Sequence, residues 1–553
     1  MQSSAAAGPA LVPAITVRGV HGAVVSPHAL ATEAGLGMLR AGGSAVDAAV
    51  ATNAALAVVN GYMCGLGGDA FWLIWTPERG PEALNGSGRS AGRATIEAAR
   101  QSGFQVMPER GPWTVTVPGA IRSWADAHRR HGRLPWSDLL APAVELAEGF
   151  AASPAWSSRI ESAAGVFGAR SEWARTYRPE GRPWRAGERV RLPALTATLR
   201  RLAEAGPDDA YEGELARRAA TYLSAAGSPL QLDDLSAHVS TWGDPLRVPY
   251  RGVHATSHPP NSTGAVALEL LAILARFNPP SRDAFGPRGI VDPDWVHILL
   301  EAARLTLADR DAHLTDPGWM VPADLALLLD PGHAAEMARR IDRRRATPPP
   351  PLRAPRGGGT IFLATADAQG GVVSMLQSNY AGFGSGLVDP VTGIAYQNRG
   401  AFFSLDPRHP NALAPGKRTM HTLTPGLLFR DGRPWVAHGS MGGEIQPQVF
   451  AQFVTALVDG RRGIADAVAA PRFAADAERH FGPTAITHLE GGLAPELGEA
   501  LAARGHAIHW TEPFSSAFGH QHAIELIWEP GARTPTSFAA TADPRSEGLP
   551  GAW

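Results

Sequence analysis

The sequence predicts an α/β protein with helices layered on strands, and three observations point that way. A long helical stretch near the start carries almost no charge, the middle region alternates helices with proline-rich breaks, and the last third is a series of strands paired into hairpins. At 553 residues with 44% hydrophobic content the chain can fill a large core. Length alone suggests about two to four domains, a prior that counts poorly for layered α/β folds. The 61 glycines and 47 prolines indicate many tight turns rather than disorder.

From His28 to Asn60 the sequence is Ala-rich with helical spacing, interrupted at Gly42 and Gly43. Ser44, with Asp47 three residues on, forms an N-cap pattern that restarts a helix as AVDAAVATNAALAVVN. A helix with so little charge is expected to be buried on most sides. CGLGGDAFWLIW then reads as a glycine turn into an apolar strand from Phe71 to Trp75. Gly65, Gly67 and Ala70 match a dinucleotide fingerprint loosely. That mechanism needs strand, glycines and helix in that order, and here the order is reversed.

Between about Pro118 and Ala346 the clearest amphipathic helix is WVHILLEAARLTLADRDAHL. His297 and Glu301 stand four apart on it, but no HExxH pattern and no third ligand accompanies them, so no metal or other cofactor is expected. RRIDRRRATPPPPLRAPRGGG reads as an exposed linker, because basic and proline-rich residues resist packing. Then TIFLATAD, the turn AQGG and VVSMLQSNY form one hairpin, and a second closes around Asp431 and Gly432. GSMGG runs into the helix QPQVFAQFVTALV, with Pro447 near its first turn. Strand, glycines and helix in that order leave backbone N–H groups directed outward at the turn.

The 50 Lys and Arg against 52 Asp and Glu give a net charge of -2 without long runs of one sign, which argues against a polyanionic partner. Cys64, the sole cysteine, excludes an intramolecular disulfide and a multi-cysteine metal site. The first twenty residues lack a secretory pattern and no apolar run reaches membrane-spanning length, so a cytoplasmic protein is expected, acting on a small molecule.

A threonine hydroxyl is a weak nucleophile without a base beside it, and the α-amine of the same residue supplies one once the preceding peptide bond is cut. Its pKa, near 8, suits that role at neutral pH. Thr360 begins a strand, follows three glycines and lies just after the exposed basic segment. Glycine at 359 lets the backbone adopt the conformation that brings the hydroxyl onto its own carbonyl. The consecutive amides of Gly442 and Gly443 suit an oxyanion site. Taken alone, an ordinary linker and an ordinary strand-to-helix turn explain both patterns as well.

The chain resembles the γ-glutamyltranspeptidase family along nearly its whole length. The resemblance rests on VVSPHALATEAGLGMLRAGGSAVDAAVATNAALAVV, GLGGDAFWLI, TVTVPGA, HPPNSTGAVAL, EAARLTLADRDAHLTDP, GGGT, FGSG, PGKRTMHTLTP, GSMGGEIQPQ and ADPRS, in the family's order. It implies a four-layer αββα sandwich and a proenzyme cut between Gly359 and Thr360. The fragments would be residues 1–359, a large subunit, and 360–553, a small subunit headed by the nucleophile, both within one sandwich, with pairing into a dimer of heterodimers as a further expectation. Ser378 falls where the family usually has a second threonine that contacts the nucleophile, and Gly442 and Gly443 fall on its oxyanion-hole glycines.

The resemblance weakens where a glutamyl group would be held. Ser87 stands in the place of the family's arginine, with Arg89 two residues on. Arg399 takes a glutamine position, Phe402 replaces the acidic residue, His421 and Thr422 replace a serine pair, and Tyr380 replaces an asparagine. A site that lost a carboxylate and gained Arg399 favours a carboxylate-bearing acyl group over an ammonium-bearing one. Arg89 and Arg399 read equally well as structural ion-pair partners. The motifs look most like the branch that includes oxamate amidohydrolases and cephalosporin-acylase-like proteins. The expected activity is therefore hydrolysis of an oxamate-like amide, then of a γ-glutamyl compound such as glutathione, then of a glutaryl or cephalosporin amide. An uncut chain acting as a binding protein is the non-enzymatic alternative.

Overall fold

A computed structural model describes residues 14–168, 171–347, 359–475 and 486–553. Two seven-stranded antiparallel sheets lie face to face. The first runs Gly551–Ala552, Gly22–Val25, Gly359–Asp367, Val372–Tyr380, Asp69–Thr76, Gly80–Gly86 and Thr241–Gly243. The second runs Thr16–Gly19, Ser537–Thr541, Gln521–Ile527, Arg433–Ser440, Gly426–Arg430, Val253–Ser257 and Leu246–Tyr250.

Alternation along the strands divides the core into layers. Phe362 and Ala364 point between the sheets, where they meet Leu427, Ala437 and Ile524. Ile361 and Leu363, one residue out of phase, face outward onto the layer containing the helices Ala29–Arg40 and Ala45–Val59. On the far side, Leu428, Val436 and Ala523 face the helices Gly264–Leu274, Pro293–His313 and Gln446–Val458. The order is helix, sheet, sheet, helix, the αββα sandwich that the resemblance implied. Gly439 marks how closely the sheets approach, since a Cβ there would meet the Phe362 ring at 2.5 Å.

The restart at Ser44 takes the form of a complete capping box: Asp47 N–H donates to Ser44 Oγ at 3.1 Å and Ser44 N–H to Asp47 Oδ2 at 2.8 Å. All residues of Ala45–Val59 are buried. At its head, Ala45 N–H donates to Asp367 Oδ2 at 2.8 Å and Thr365 Oγ1 to the Ala45 carbonyl at 2.6 Å, which fixes the helix on the strand that Thr360 opens. The second predicted hairpin turns at Asp431 (φ 51) and Gly432 (φ 77), the two left-handed central residues of a tight hairpin turn.

Two expectations are corrected. The helix Pro293–His313 is not one-sided: Trp295 through Arg304 are all buried, because it packs against Gly264–Leu274 on one flank and against Pro495–Ala503 and the sheet holding Phe473–Ala475 and Thr487–Gly491 on the other. The basic segment expected as linker begins as the end of a helix, Pro331–Arg340. Its prolines and Gly357 and Gly358 lie outside the described residues, as do the first thirteen residues on which most of the leader reading rests. Strands from both sides of the Gly359–Thr360 bond interleave in both sheets, and the core between the sheets draws on both segments.

Candidate active site

Thr360 is the second residue of the strand Gly359–Asp367 and is 3% exposed. Pairing with the next strand shifts register here, Gly359 opposite Tyr380 and Ile361 opposite Gln377, so Thr360 faces Ser378 and Asn379, a bulge in that strand at the open end of the hairpin. Bulges re-aim a side chain, and this one leaves Thr360 Oγ1 donating to Ser378 Oγ at 3.0 Å. Ser378 in turn donates to the Gly359 carbonyl, the acyl group of the bond before Thr360. Tyr380 N–H donates to the same serine oxygen at 2.7 Å, and Tyr380 is held at φ 72. A hydroxyl, a second hydroxyl and a backbone carbonyl therefore form a continuous chain.

Arg399 closes that chain from the other side. Buried in the short turn Arg399–Phe402, it brings Nη2 to 3.4 Å from Ser378 Oγ and donates through Nη1 to Thr422 Oγ1 at 3.3 Å. Its guanidinium lies over the Tyr380 ring at 4.4 Å and near the Phe402 ring at 5.4 Å. The structure thus gathers Thr360, Ser378, Tyr380, Arg399 and Thr422 at one place, together with Phe402.

His421 Nε2 stands 3.3 Å from Asp69 Oδ2, its ring packs on Phe71 at 4.7 Å, and its Nδ1 has no hydrogen-bond partner among the described residues. Burial, followed by the charge of Arg399 and the nearness of His258, holds this imidazole well below its usual pKa. Ser87 is tied to its neighbours, donating to Asn85 Oδ1 at 2.7 Å and accepting from Asn261 Nδ2 at 3.2 Å. Arg89 reaches Asp316 Oδ2 at 3.3 Å and the Gly416 carbonyl at 3.1 Å with its side chain 41% exposed, which is the ion-pair geometry rather than the clamp.

Gly442 and Gly443 follow the strand Arg433–Ser440 with φ 140 and φ 59, conformations that side chains rarely adopt. A Cβ on Gly442 would meet Ile445 at 2.9 Å. The turn is anchored by the buried pair Glu444–Arg310 at 2.7 Å and by Thr424 N–H donating to Gln446 Oε1 at 2.9 Å. Met441, just before it, packs against Gly519, the neighbour of His520. His520 lines a cavity of about 250 Å³ with Thr360, Asn60, Tyr62, Arg159 and Glu547.

Sequence reasoning missed Asp69. It lies inside the quoted GLGGDAF motif but two residues ahead of the expected strand, which instead spans Asp69–Thr76. An aspartate among apolar strand residues was the available signal. The expectation that no third ligand joins His297 and Glu301 is also corrected, because the fold brings His506 beside them. His297 Nδ1 meets His506 Nε2 at 2.8 Å, His297 Nε2 meets the Asp342 carbonyl at 2.7 Å, and Glu301 accepts from Arg304 at 2.5 Å and from Thr347 N–H at 2.9 Å. Those atoms bond one another and the start of the basic segment.

The αββα sandwich is the fold of the N-terminal nucleophile hydrolases. The chain belongs to the γ-glutamyltranspeptidase family, whose model, described as Gamma-glutamyltranspeptidase, matches residues 31–553. It is similar to an oxamate amidohydrolase proenzyme of Klebsiella pneumoniae, 39% identical over 96% of this chain and 98% of that one. It is also similar to a glutathione hydrolase-like proenzyme of Bacillus subtilis, 36% identical with the same coverage of each. A crystal structure of a cephalosporin acylase from Bacillus halodurans superposes with a TM-score of 0.89 at 35% identity, covering 100% of this chain and 99% of that one. The chain is accordingly a hydrolase of this family. No helix among the described residues is long and apolar enough to cross a membrane.

Proposed function

We propose that the chain is a self-processing amidohydrolase that cleaves a small carboxylate-bearing amide, oxamate-like in size, through an acyl-enzyme on Thr360. The observation that carries this reading is the buried Arg399 guanidinium beside Ser378, 4.4 Å over the Tyr380 ring. A fixed cation there favours an anionic acyl end through charge-assisted, bidentate hydrogen bonds. The similarity to an oxamate amidohydrolase proenzyme supports the same substrate class.

In the uncut chain the hydroxyl relay favours attack of Thr360 Oγ1 on the Gly359 carbonyl carbon, with Ser378 polarising the carbonyl oxygen it already touches. The C–N bond breaks as the acyl group moves to oxygen, and water hydrolyses the resulting ester. This leaves Gly359 as a carboxylate, ending a segment 1–359, and Thr360 with a free α-amine. In turnover that amine takes the hydroxyl proton, Thr360 attacks the amide carbonyl, and the amides of Gly442 and Gly443 stabilise the oxyanion. The leaving amine departs with the proton, and water attacks the acyl-enzyme by the same route. The acyl carboxylate lies toward Arg399 and Thr422, with Tyr380 and His421 as walls. Ser87 and Arg89 support the pocket from behind, and the two segments stay together in the cytoplasm as one sandwich.

An acyl-donor panel on processed protein tests this. Oxamate, whose carboxylate is attached directly to the scissile carbonyl, is expected to be turned over with kcat/KM at least about tenfold above γ-glutamyl and glutaryl amides, whose carboxylates stand farther off, the margin one well-placed charged hydrogen bond supplies. Equal turnover of glutathione, which the similarity to a glutathione hydrolase-like proenzyme favours, would overturn the reading of a small donor that carries a carboxylate and no ammonium group.

A further inference from the structure

We propose that Asp69 is a positioning residue of the acyl-donor pocket: through its contact with His421 Nε2 it sets whether His421 Nδ1 presents an N–H or a lone pair to a substrate carboxylate. The inference rests on the carboxylate-donor reading above for its substrate and on the following geometry for everything else.

Asp69 pairs in register with Ser378 across adjacent strands, so the two side chains leave the same face of the sheet. Its two oxygens have different surroundings. Oδ1 accepts from the backbone N–H of Gly88 at 3.1 Å and of Gly119 at 3.3 Å, while Oδ2 lies 3.3 Å from His421 Nε2. Two N–H donors on Oδ1 oblige any carboxyl proton to sit on Oδ2, directed at the imidazole. His421 is fully buried, and its other nitrogen is an unsatisfied polar atom, which a bound ligand or a water would complete.

The imidazole is neutral and carries one proton. When Asp69 is ionised, Nε2–H donates to Oδ2 and Nδ1 offers only a lone pair, which repels a carboxylate. When Asp69 is protonated, Oδ2–H donates to Nε2 and Nδ1 becomes the donor, which together with Arg399 gives the substrate anion two partners.

Burial pushes the Asp69 carboxyl up to about 7, against the opposing pull of Arg399, of the Gly88 and Gly119 amides and of Arg418. The other titratable groups around the pair keep one charge state across this range. Arg399 and Arg418 stay cationic, with Arg418 lowered only to about 10 by burial. Burial holds His258 at about 4 and His238, beside Gly119, at about 3, and raises Tyr211 above its usual value. Asp69 alone among them changes charge near neutrality.

The test compares kcat/KM against pH for oxamate and for oxamide, its neutral amide. Wild-type protein is expected to give a broad bell for oxamate, rising to about pH 7, level between about 7 and 8 where the gain at the Thr360 α-amine offsets the loss at Asp69, and falling about tenfold per pH unit above about 8, while oxamide shows only the rise. In Asp69→Asn, the Gly88 and Gly119 amides hold Oδ1 and the side-chain NH₂ donates to Nε2. Nδ1–H is thereby fixed and the falling limb should vanish, whereas Asp69→Leu, which leaves the His421 tautomer undirected, should also lose the falling limb but give kcat/KM for oxamate about tenfold below that of Asp69→Asn. A falling limb that persists in Asp69→Asn overturns the proposal. Failure of wild-type protein to turn over any carboxylate donor instead overturns the functional reading. The pair is then decided by ¹⁵N-histidine NMR of wild-type protein, with His421 assigned by its loss in His421→Gln. A change from Nδ1–H to Nε2–H as pH rises through about 7 supports the proposal, and a single tautomer throughout overturns it. That spectrum also serves if Asp69→Asn fails to fold.

Discussion

On one side of Ser378 stand Thr360 and the Gly359 carbonyl, neutral groups placed by the main chain itself: a hairpin, one bulge and two hydroxyls a hydrogen bond apart. On the other side stand Arg399, Asp69 and His421, charged or ionisable groups delivered by three separated segments and held by burial. The first side depends on register, which a whole hairpin fixes. The second depends on side chains that single substitutions change, so the proposed chemistry and the proposed specificity are expected to be separable.

The largest effect should fall on the register side. Thr360→Ala removes the hydroxyl proposed to make both cuts. It is expected to leave one 553-residue band on a denaturing gel and to lower turnover at least about 10⁴-fold. A split chain in that variant would break the division, because cleavage would not need the nucleophile. Gly442→Ala comes next: its φ of 140 and the Ile445 contact oppose a Cβ, so kcat should fall about 100- to 1,000-fold while KM for the donor changes little. An unchanged kcat would mean that this turn serves only the strand-to-helix connection.

Arg399→Met probes the specificity side. It should lower kcat/KM for oxamate about 100-fold yet allow the chain to split, since Ser378 retains Thr360, Tyr380 N–H and the Gly359 carbonyl as partners. Loss of splitting would show that the two sides are not separable. Ser378→Ala should slow both cleavage and turnover by about 10- to 100-fold, with Ser378→Thr restoring the relay.

Which parts of this arrangement are readable from the sequence follows the same division. Ser44 and Asp47, Asp431 and Gly432, and the strand opened by Thr360 announce themselves because their partners are a few residues away. The layered fold became legible through motifs of that local kind, and they made Thr360 a candidate. Asp69 did not, because its significance comes from pairing with Ser378 and from meeting His421, contacts that exist only once the strand Asp69–Thr76 lies beside Val372–Tyr380. For the same reason the sequence could not choose between clamp and ion pair for the two arginines. Asp316, which engages Arg89, is remote in the chain, and so is the Tyr380 ring on which Arg399 rests.

The smallest predicted effect follows from that last pairing. Arg89 keeps 41% of its side chain exposed and meets Asp316 at 3.3 Å, so screening leaves the pair about 0–1 kcal/mol. Arg89→Leu should therefore change kcat/KM for oxamate less than about fivefold. Arg399, fully enclosed and stacked, has no water to replace it, so its loss is felt in full. Measuring both variants on oxamate and oxamide sharpens the contrast: only Arg399→Met should lose the preference for the charged donor. Were Arg89→Leu to lose it equally, the anion's cradle would extend from Arg399 to the Asp316 side, and the specificity wall would be twice as broad as the buried cluster alone.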